Sequence, residues 1–301
     1  MKLIKSIILS FVLLLICCTN IDKKFNDHMH NAQLASSRND FSKAIKYYTK
    51  AISIKDTMLA YFERGKVYFL FEHDYKRAGL DFSKAAELCN QNYSNEKLIS
   101  VYIYLMMSYY MQNDYGSCQN ILNKLLVLTN NEKSLIAFQC HLDLLQNKHE
   151  EAIINFKEID IYNIIFPSYD EIINPYSSIG YIFWEFLNSS SFWNDNEALS
   201  HTLIVHQAIS LIETERYNES IKLVSSHKLN YTYPVEYLLL AVSYYLNNNE
   251  TKAKQCISEA LKLDENILNI NDKYKLLSSS PKTIESVAKI KSICVNRNEK
   301  N

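Results

Sequence analysis

Three stretches of the chain carry nearly the same order of apolar and polar positions. They read NDFSKAIKYYTKAISIK at 39–55, HDYKRAGLDFSKAAEL at 73–88 and NNETKAKQCISEALKLD at 248–264. In each stretch, small or apolar residues return every three to four positions, which is the spacing of one face of an α-helix. The pattern predicts amphipathic helices, and its recurrence predicts a repeat architecture.

A small residue followed four positions later by a larger apolar one marks the repeat. The pairs are Ala44/Tyr48, Ala78/Phe82, Cys118/Leu122, Ala152/Phe156, Ser220/Val224 and Ala253/Ile257. Successive small residues are 34, 40, 34, 68 and 33 positions apart. Because 68 is twice 34, we expect one repeat between Ala152 and Ser220 to match the motif only weakly or to be replaced by another segment.

A second motif precedes these pairs. It reads Tyr61-x-x-Arg64-Gly65-x-x-Tyr68, Tyr102-x-x-Leu105-Met106-x-x-Tyr109 and Tyr237-x-x-Leu240-Ala241-x-x-Tyr244. With a period near 34, it resembles the W-x-x-L-G-x-x-Y pattern of the tetratricopeptide repeat, with tyrosine in place of tryptophan. The resemblance implies an all-α fold, a helical-hairpin solenoid. The small residues at Gly65, Ala241 and Ala32 would let paired helices approach closely.

Composition narrows the class further. The chain has four glycines and four prolines in 301 residues, too few for the frequent turns of a β-rich protein. Its formal net charge is −1, so it has no broad basic field for nucleic acid. Composition therefore supports long helices joined by short polar turns and excludes nucleic acid as the expected partner.

The repeats divide the chain into segments. We expect about four repeats over 28–160 and about two over 200–266, followed by a capping helix near Ser280 and a polar tail within 267–301. Residues 161–199 break the pattern with two prolines and both tryptophans, Trp184 and Trp193. This irregular, aromatic-rich insert is either a degenerate repeat that seals a junction or an aromatic binding element.

The N-terminus has the features of an export signal. Lys2 and Lys5 precede an apolar run whose ten residues would rise about 15 Å as a helix, half of a ~30 Å hydrocarbon core. Residues 1–17 are therefore predicted to be a signal peptide. The stretch LLLICC resembles the lipobox of bacterial lipoproteins, which implies lipidation of Cys18 and a polar tether over 18–27. An ordinary cleaved signal and an uncleaved anchor are the alternatives.

The sequence contains no motif for catalysis or for a cofactor. It has no G-x-S-x-G, HExxH, phosphate loop or dinucleotide pattern. No metal site is expected either, because the candidate histidines lie off one helix face or lack further ligands. These candidates are His28 with His30, Cys140 and His141 with His149, and His201 with His206. Packing or solvation accounts for all of them.

Five cysteines follow Cys18, with wide spacings and no C-x-x-C pair. Cys118 and Cys256 fall within the helical periodicity, so both are predicted to act as small core residues. An odd number in an exported chain leaves at least one free thiol, and the pairing stays open.

The family resemblance also implies a partner-binding surface. It places one set of side chains on the inner, concave face of the solenoid: Phe62, Lys66, Phe69, Met107 and Tyr110. Since this set is mostly apolar and aromatic, we expect it to hold an apolar peptide or helix in a groove. The alternative is that the chain itself fills this face. A carboxylate clamp, as in some family members, is excluded by residue type at Met29, Gln33 and Phe62.

These features favour a lipid-anchored scaffold that mediates protein–protein interactions at the bacterial cell envelope, facing the periplasm or the outside. The alternative is an envelope module that senses a small ligand or glycan through the aromatic insert. An enzyme ranks last. The sequence does not identify the partner or say which membrane would receive the lipid.

Overall fold

The computed structural model describes residues 2–89, 94–130, 132–159, 196–227, 233–268, 277 and 280–298, and for 2–19, 196–200 and 293–298 it gives the backbone. Within these ranges the regular structure is helical and contains no strand. The helices are α1 Lys2–Ser37, α2 Phe41–Ile54, α3 Met58–Leu70, α4 Tyr75–Cys89, α5 Asn95–Met111, α6 Tyr115–Leu128, α7 Lys133–Leu145, α8 His149–Phe156, α9 Asn196–Glu213, α10 Tyr217–Ser226, α11 Pro234–Leu246, α12 Glu250–Leu263 and α13 Pro281–Asn298. The predicted all-α, helical-hairpin solenoid fold is confirmed.

The chain divides into two units, Met1–Leu128 and Thr129–Asn301. In the first, successive helices from α1 to α6 pack against each other. In the second, α7 to α12 follow the same rule, and α13 packs against α9 and α11. This grouping differs from the predicted block at 28–160, because the fourth hairpin, α7–α8, packs with α9 in the second unit.

Six helix pairs are joined by turns of the same form. In each, a backbone N–H just after the turn donates to a carbonyl five to six residues earlier, which is the closing bond of a Schellman turn. The donors are Asp40, Asp74, Asp114, Lys148, Arg216 and Asn249. The residue before each donor has a positive φ, and it is asparagine in four of the six turns. Asparagine tolerates this left-handed conformation better than most residues.

These turn positions reproduce the spacings of the sequence motif, including the double interval between Lys148 and Arg216. At four of these turns, the side chain of the donor residue also caps the following helix. Asp40, Asp74, Asp114 and Asn249 each accept a hydrogen bond from the backbone N–H three residues later. The expected repeat within the double interval falls on 161–199, most of which lies outside the described residues.

The small and large residues of the repeated pairs are buried in the helical core. All six small residues are at most 2 % exposed, and all six larger partners are at most 4 % exposed. Gly65 confirms the predicted close approach, because a Cβ atom there would lie 2.7 Å from Cε1 of Phe82. The same packing buries Ala51, Ala85 and Ala260 completely.

The N-terminal segment differs from its prediction. Residues 18–27, which were predicted to form a polar tether, continue α1 as a helix. Phe25 packs against the core between α1 and α2, and the Asp22 carboxylate accepts a hydrogen bond from Lys55 Nζ at 3.2 Å. Phe25, Met29 and Ala32 are spaced at one helical face, so the apolar stripe that buries α1 begins before residue 28.

Helix α13 begins at Pro281, within the segment that was predicted to hold a capping helix. Glu213, at the end of α9, accepts a hydrogen bond from the backbone N–H of Lys282 at 2.9 Å and another from Ser280 Oγ. Lys282 Nζ donates to the Glu213 carbonyl at 2.7 Å. Val287 and Ile290 complete the apolar face of α13 in the core of the second unit. In the described part of the chain, no helix combines the length and apolar character needed to cross a membrane.

Candidate functional site

The predicted partner surface is partly exposed on α3. Leu59, Phe62 and Lys66 lie three and four positions apart, so they share one face of this helix. Leu59 is 46 % exposed, and Phe62 and Lys66 are half-buried. Lys66 Nζ lies 5.2 Å from the centre of the Phe62 ring and 2.9 Å from a Glu63 carboxylate oxygen. We call Leu59, Phe62 and Lys66 the α3 stripe.

Two predicted groove residues belong to the core instead. Phe69 is 7 % exposed, and its ring lies 5.4 Å from Tyr75 and 5.8 Å from Tyr104. Met107 is 3 % exposed. Both side chains fill space between neighbouring helices, so they are not open to a partner. At these two positions the alternative expectation, a face filled by the chain itself, describes the structure.

Tyr110, the fifth predicted residue, lies near the end of α5. It is half-buried, its ring lies 6.0 Å from that of Tyr115, and burial raises the pKa of its hydroxyl. Met111, the next residue, is 41 % exposed. On α3 and α5, the exposed large apolar side chains are therefore Leu59, within the α3 stripe, and Met111, at the C-terminal end of α5.

Helix α3 also contributes Arg64 to a buried ion pair with Asp81 of α4. The Arg64 guanidinium donates to both carboxylate oxygens of Asp81 at 2.7 and 2.8 Å and to Thr49 Oγ1 at 2.9 Å. The pair therefore connects α3 with α4 and α2. Arg64 departs from the repeat motif at a position where leucine is expected, and Asp81 accounts for that departure.

A second buried polar cluster lies in the other unit. Oε1 of Glu236 lies 2.6 Å from Nδ1 of His201 and 2.7 Å from Nδ1 of His227. His201 comes from α9, His227 directly follows α10, and Glu236 is in the first turn of α11. The three residues are 1 %, 8 % and 8 % exposed. We call them the HHE cluster.

Hydrogen bonding and burial shift the pKa values of Glu236 and His201 in opposite directions. Burial would raise the pKa of Glu236, but the hydrogen bonds from His201 and His227 prevail and lower it. Burial lowers the pKa of His201, against the attraction of Glu236. A carboxylate that stays ionised can only accept hydrogen bonds, so both Nδ1 atoms donate to it.

His206, five residues after His201, takes a different partner. Its Nε2 atom lies 3.3 Å from Nδ1 of His141 on α7, and both rings are buried. The two histidines of α9 are thus off one face, as predicted, and His206 is packed. Burial lowers the pKa of His206 to about 3, so it is neutral near neutral pH.

The cysteines follow the prediction in part. Cys118 is fully buried, and burial raises the pKa of its thiol to about 12. Cys256 is only half-buried, at the edge of the core of the second unit. Cys89 and Cys140 are buried, and all four of these thiols are free.

The family model of the tetratricopeptide repeat matches two segments, residues 31–57 and 237–267. The first segment runs from α1 through α2, and the second contains most of α11 and all of α12. Both matches coincide with hairpins whose small residues, Ala44 and Ala253, were identified from the sequence motif. These two hairpins therefore match the tetratricopeptide-repeat model.

Several solved structures resemble the chain at low identity. A tetratricopeptide repeat protein from Parabacteroides merdae is 12 % identical with a TM-score of 0.42, covering 84 % of this chain and 98 % of its own. Pseudomonas aeruginosa PilF is 14 % identical with a TM-score of 0.44, at 86 % and 99 % coverage. The yeast Sti1 TPR2AB domain, in its pHSP90 complex, is 12 % identical with a TM-score of 0.34, at 87 % and 99 % coverage. No curated protein matches the chain in sequence.

Two members of the HHE cluster occupy positions that are apolar and buried in other helical hairpins of the chain. Glu236 directly precedes the first tyrosine of its repeat, where two other repeats have Ala60 and Val101, both buried. His227 lies eleven positions after its turn residue, Arg216. The same position in the other repeats is always apolar and buried: Ala51, Ala85, Leu125, Ile159 and Ala260. Polar residues at these normally apolar positions are the sequence signal for the cluster, and a search for catalytic or metal-binding motifs does not detect it.

Proposed function

We propose that the protein is a lipid-anchored, non-catalytic scaffold that docks a protein partner at the bacterial cell envelope. The docking surface is the α3 stripe with the exposed end of α5. The observation that carries this proposal is Leu59, an apolar side chain 46 % exposed on the first helix of a tetratricopeptide repeat, beside half-buried Phe62. Stacked hairpins use such helices to build extended binding surfaces.

The chemistry of the stripe indicates the kind of partner. Leu59 and Phe62 offer apolar area, and burial of one such side chain contributes about 1.5–3 kcal/mol. Lys66 adds a positive charge at the edge, although Glu63 partly neutralises it. An amphipathic helix or extended peptide with an apolar face and an acidic flank fits this arrangement.

The support for the anchor is in the sequence. Lys2 and Lys5, the short apolar run after them and Cys18 have the arrangement of a lipoprotein signal. Lipidation of Cys18 would hold the scaffold on a membrane and leave the repeats facing the aqueous side. The sensing alternative depends on 161–199, which mostly lies outside the described residues, and no described contact favours it.

Site-specific photo-crosslinking in cells tests the docking surface. A crosslinking residue in place of Leu59 should capture one defined partner. A matched probe in place of Val127, which is 82 % exposed on α6, should not capture it. Leu59→Asp with Lys66→Glu should then weaken binding of that purified partner on the order of 100-fold, with helical content unchanged. Equal capture from both positions would contradict the proposed surface.

The anchor is tested separately by metabolic labelling with a fatty acid. The native chain should be labelled and should fractionate with membranes. Cys18→Ser should lose the label, whereas Cys17→Ser should keep it. A native chain that takes up no label would rule out the lipid anchor without affecting the docking result.

A further inference from the structure

The HHE cluster is not required by the repeat fold. Five other repeats fill the position of His227 with an apolar side chain that is at most 6 % exposed, and two fill the position of Glu236 with Ala60 or Val101. Burying a carboxylate and two imidazoles in place of such residues costs desolvation energy that an apolar core avoids. The polar side chains therefore have a role beyond packing.

The three side chains form a compact donor set. One ligand atom from each lies within 4.8 Å of the others, and the three residues come from three successive helical segments. Two imidazole nitrogens and one carboxylate oxygen are ligands that zinc and other first-row transition metals accept. The carboxylate would also balance one of the two charges of a divalent ion.

We propose that His201, His227 and Glu236 form a binding site for a divalent transition-metal ion of the zinc class. The ion joins α9, the end of α10 and the start of α11, and so holds two successive repeats of the second unit together. This inference is independent of the docking surface on α3, which lies in the other unit.

Metal binding requires the ligand atoms to shift, because their separations range up to 4.8 Å. Ligand atoms around tetrahedral zinc lie about 3.3 Å apart, given metal–ligand distances of about 2.0–2.1 Å. The present separations of 2.6 and 2.7 Å are hydrogen-bond distances, so the carboxylate would withdraw by roughly 0.6 Å from each ring. Each neutral imidazole that coordinates through Nδ1 carries its proton on Nε2 instead, so the ring exchanges tautomers and stays uncharged.

Zinc titration of the full chain tests the site. The protein is purified in detergent, stripped with a chelator and titrated with Zn²⁺ against a chromophoric competitor. We expect one ion per chain, and we expect Co²⁺ to give the visible absorption of a four-coordinate site. Since the ion binds the folded chain, Zn²⁺ should also raise the thermal unfolding temperature of the second unit.

Two variants separate metal binding from folding. His227→Ala introduces the residue that three other repeats carry at this position, and Glu236→Gln keeps a hydrogen-bond acceptor while removing the charge. Both should fold and should bind Zn²⁺ on the order of 100-fold more weakly, with loss of the Co²⁺ spectrum. His73→Gln, which changes an exposed histidine in the other unit, should bind as the native chain does.

The assignment is overturned if the native chain binds no stoichiometric Zn²⁺. It is overturned equally if folded His227→Ala and Glu236→Gln bind Zn²⁺ as tightly as the native chain. In either case the three side chains form only a hydrogen-bonded core network.

Discussion

The α3–α4 hairpin and the α9–α11 region solve the same packing problem with different chemistry. In the first, Phe82 fills the space beside Gly65, and the rings of Phe62 and Tyr104 lie 5.7 and 5.3 Å from it. In the second, His227 and Glu236 occupy positions that are apolar in other repeats. The repeat fold therefore fixes where a side chain is buried but leaves its polarity open.

Both regions nevertheless contain a buried carboxylate, and the two carboxylates have different partners. Asp81 pairs with Arg64, which is charged at any accessible pH, so this pair carries its own compensation. Glu236 faces two histidines, and one of its oxygens lies 2.6 and 2.7 Å from their Nδ1 atoms. The first arrangement suits a permanent link between helices, and the second offers ligand atoms to a metal ion.

The largest effect is expected from truncating the aromatic core of the first unit. Phe82→Ala removes a fully buried ring and leaves a cavity beside Gly65, so it should lower the unfolding free energy of this unit by about 3–5 kcal/mol. Urea denaturation, with hydrogen exchange of the α3–α5 amides, measures the loss. Leu80→Ala on the same helix is the control, because Leu80 is 66 % exposed and should cost less than about 0.5 kcal/mol. Equal losses would contradict the assigned packing.

A slightly smaller loss is expected from breaking the buried ion pair. Asp81→Ala leaves the Arg64 guanidinium buried without its carboxylate, which should cost about 3 kcal/mol in urea denaturation. Asp22→Ala removes the surface partner of Lys55 and should cost about 1 kcal/mol or less. Replacing both Arg64 and Asp81 with leucine should recover most of the loss. If the double leucine variant is less stable than Asp81→Ala, the ion pair stabilises the fold beyond neutralising its own two buried charges.

The HHE cluster should respond differently, and this contrast sharpens the comparison of the two regions. Without metal, Glu236→Val removes the acceptor of two buried N–H groups and should cost about 2–3 kcal/mol. Combining it with His227→Ala and His201→Leu should restore or exceed native stability, because apolar side chains replace the whole network. Urea denaturation with a chelator present measures both variants. A triple variant less stable than Glu236→Val alone would show that the polar network is needed for packing.

The repeat register and the hairpin core were predictable from sequence because they depend on local spacing. Ala44 and Tyr48 are separated by one helical turn, and the same spacing recurs along the chain, so six weak signals reinforce one another. The turn residues Asp40 and Asn249 end their turns at the intervals that the motif gives. Burial of the predicted groove residues Phe69 and Met107 was not predictable from the family pattern alone. Their helices also pack against neighbours, and the bulk of those neighbours decides which faces stay open.

The HHE cluster was harder to predict because its members are distant in sequence. His201 and Glu236 are brought together only by the packing of α9 and α11. In sequence, the nearest candidate partner of His201 is His206, but His206 contacts His141 and His201 contacts Glu236. A comparison of equivalent repeat positions would have singled out His227 and Glu236, since both are polar where other repeats are apolar.

The smallest predicted effect concerns pH and the His141–His206 pair. The pKa of His206 is about 3 in the folded chain and near 6.5 when exposed, so protonation favours the unfolded state. Its contribution to stability is complete above the unfolded pKa of about 6.5 and is lost as pH falls from there toward 3. Between pH 7 and pH 5 the second unit should lose about 2 kcal/mol through His206.

Urea denaturation at both pH values, compared between the native chain and His206→Leu, isolates this contribution from that of the other histidines. The leucine variant should lose about 2 kcal/mol less than the native chain over the same interval, whatever its stability at pH 7. An unchanged pH dependence in His206→Leu would mean that the imidazole of His206 reaches water before the unit unfolds. The acid sensitivity of this pair would then come from His141, whose pKa burial also lowers.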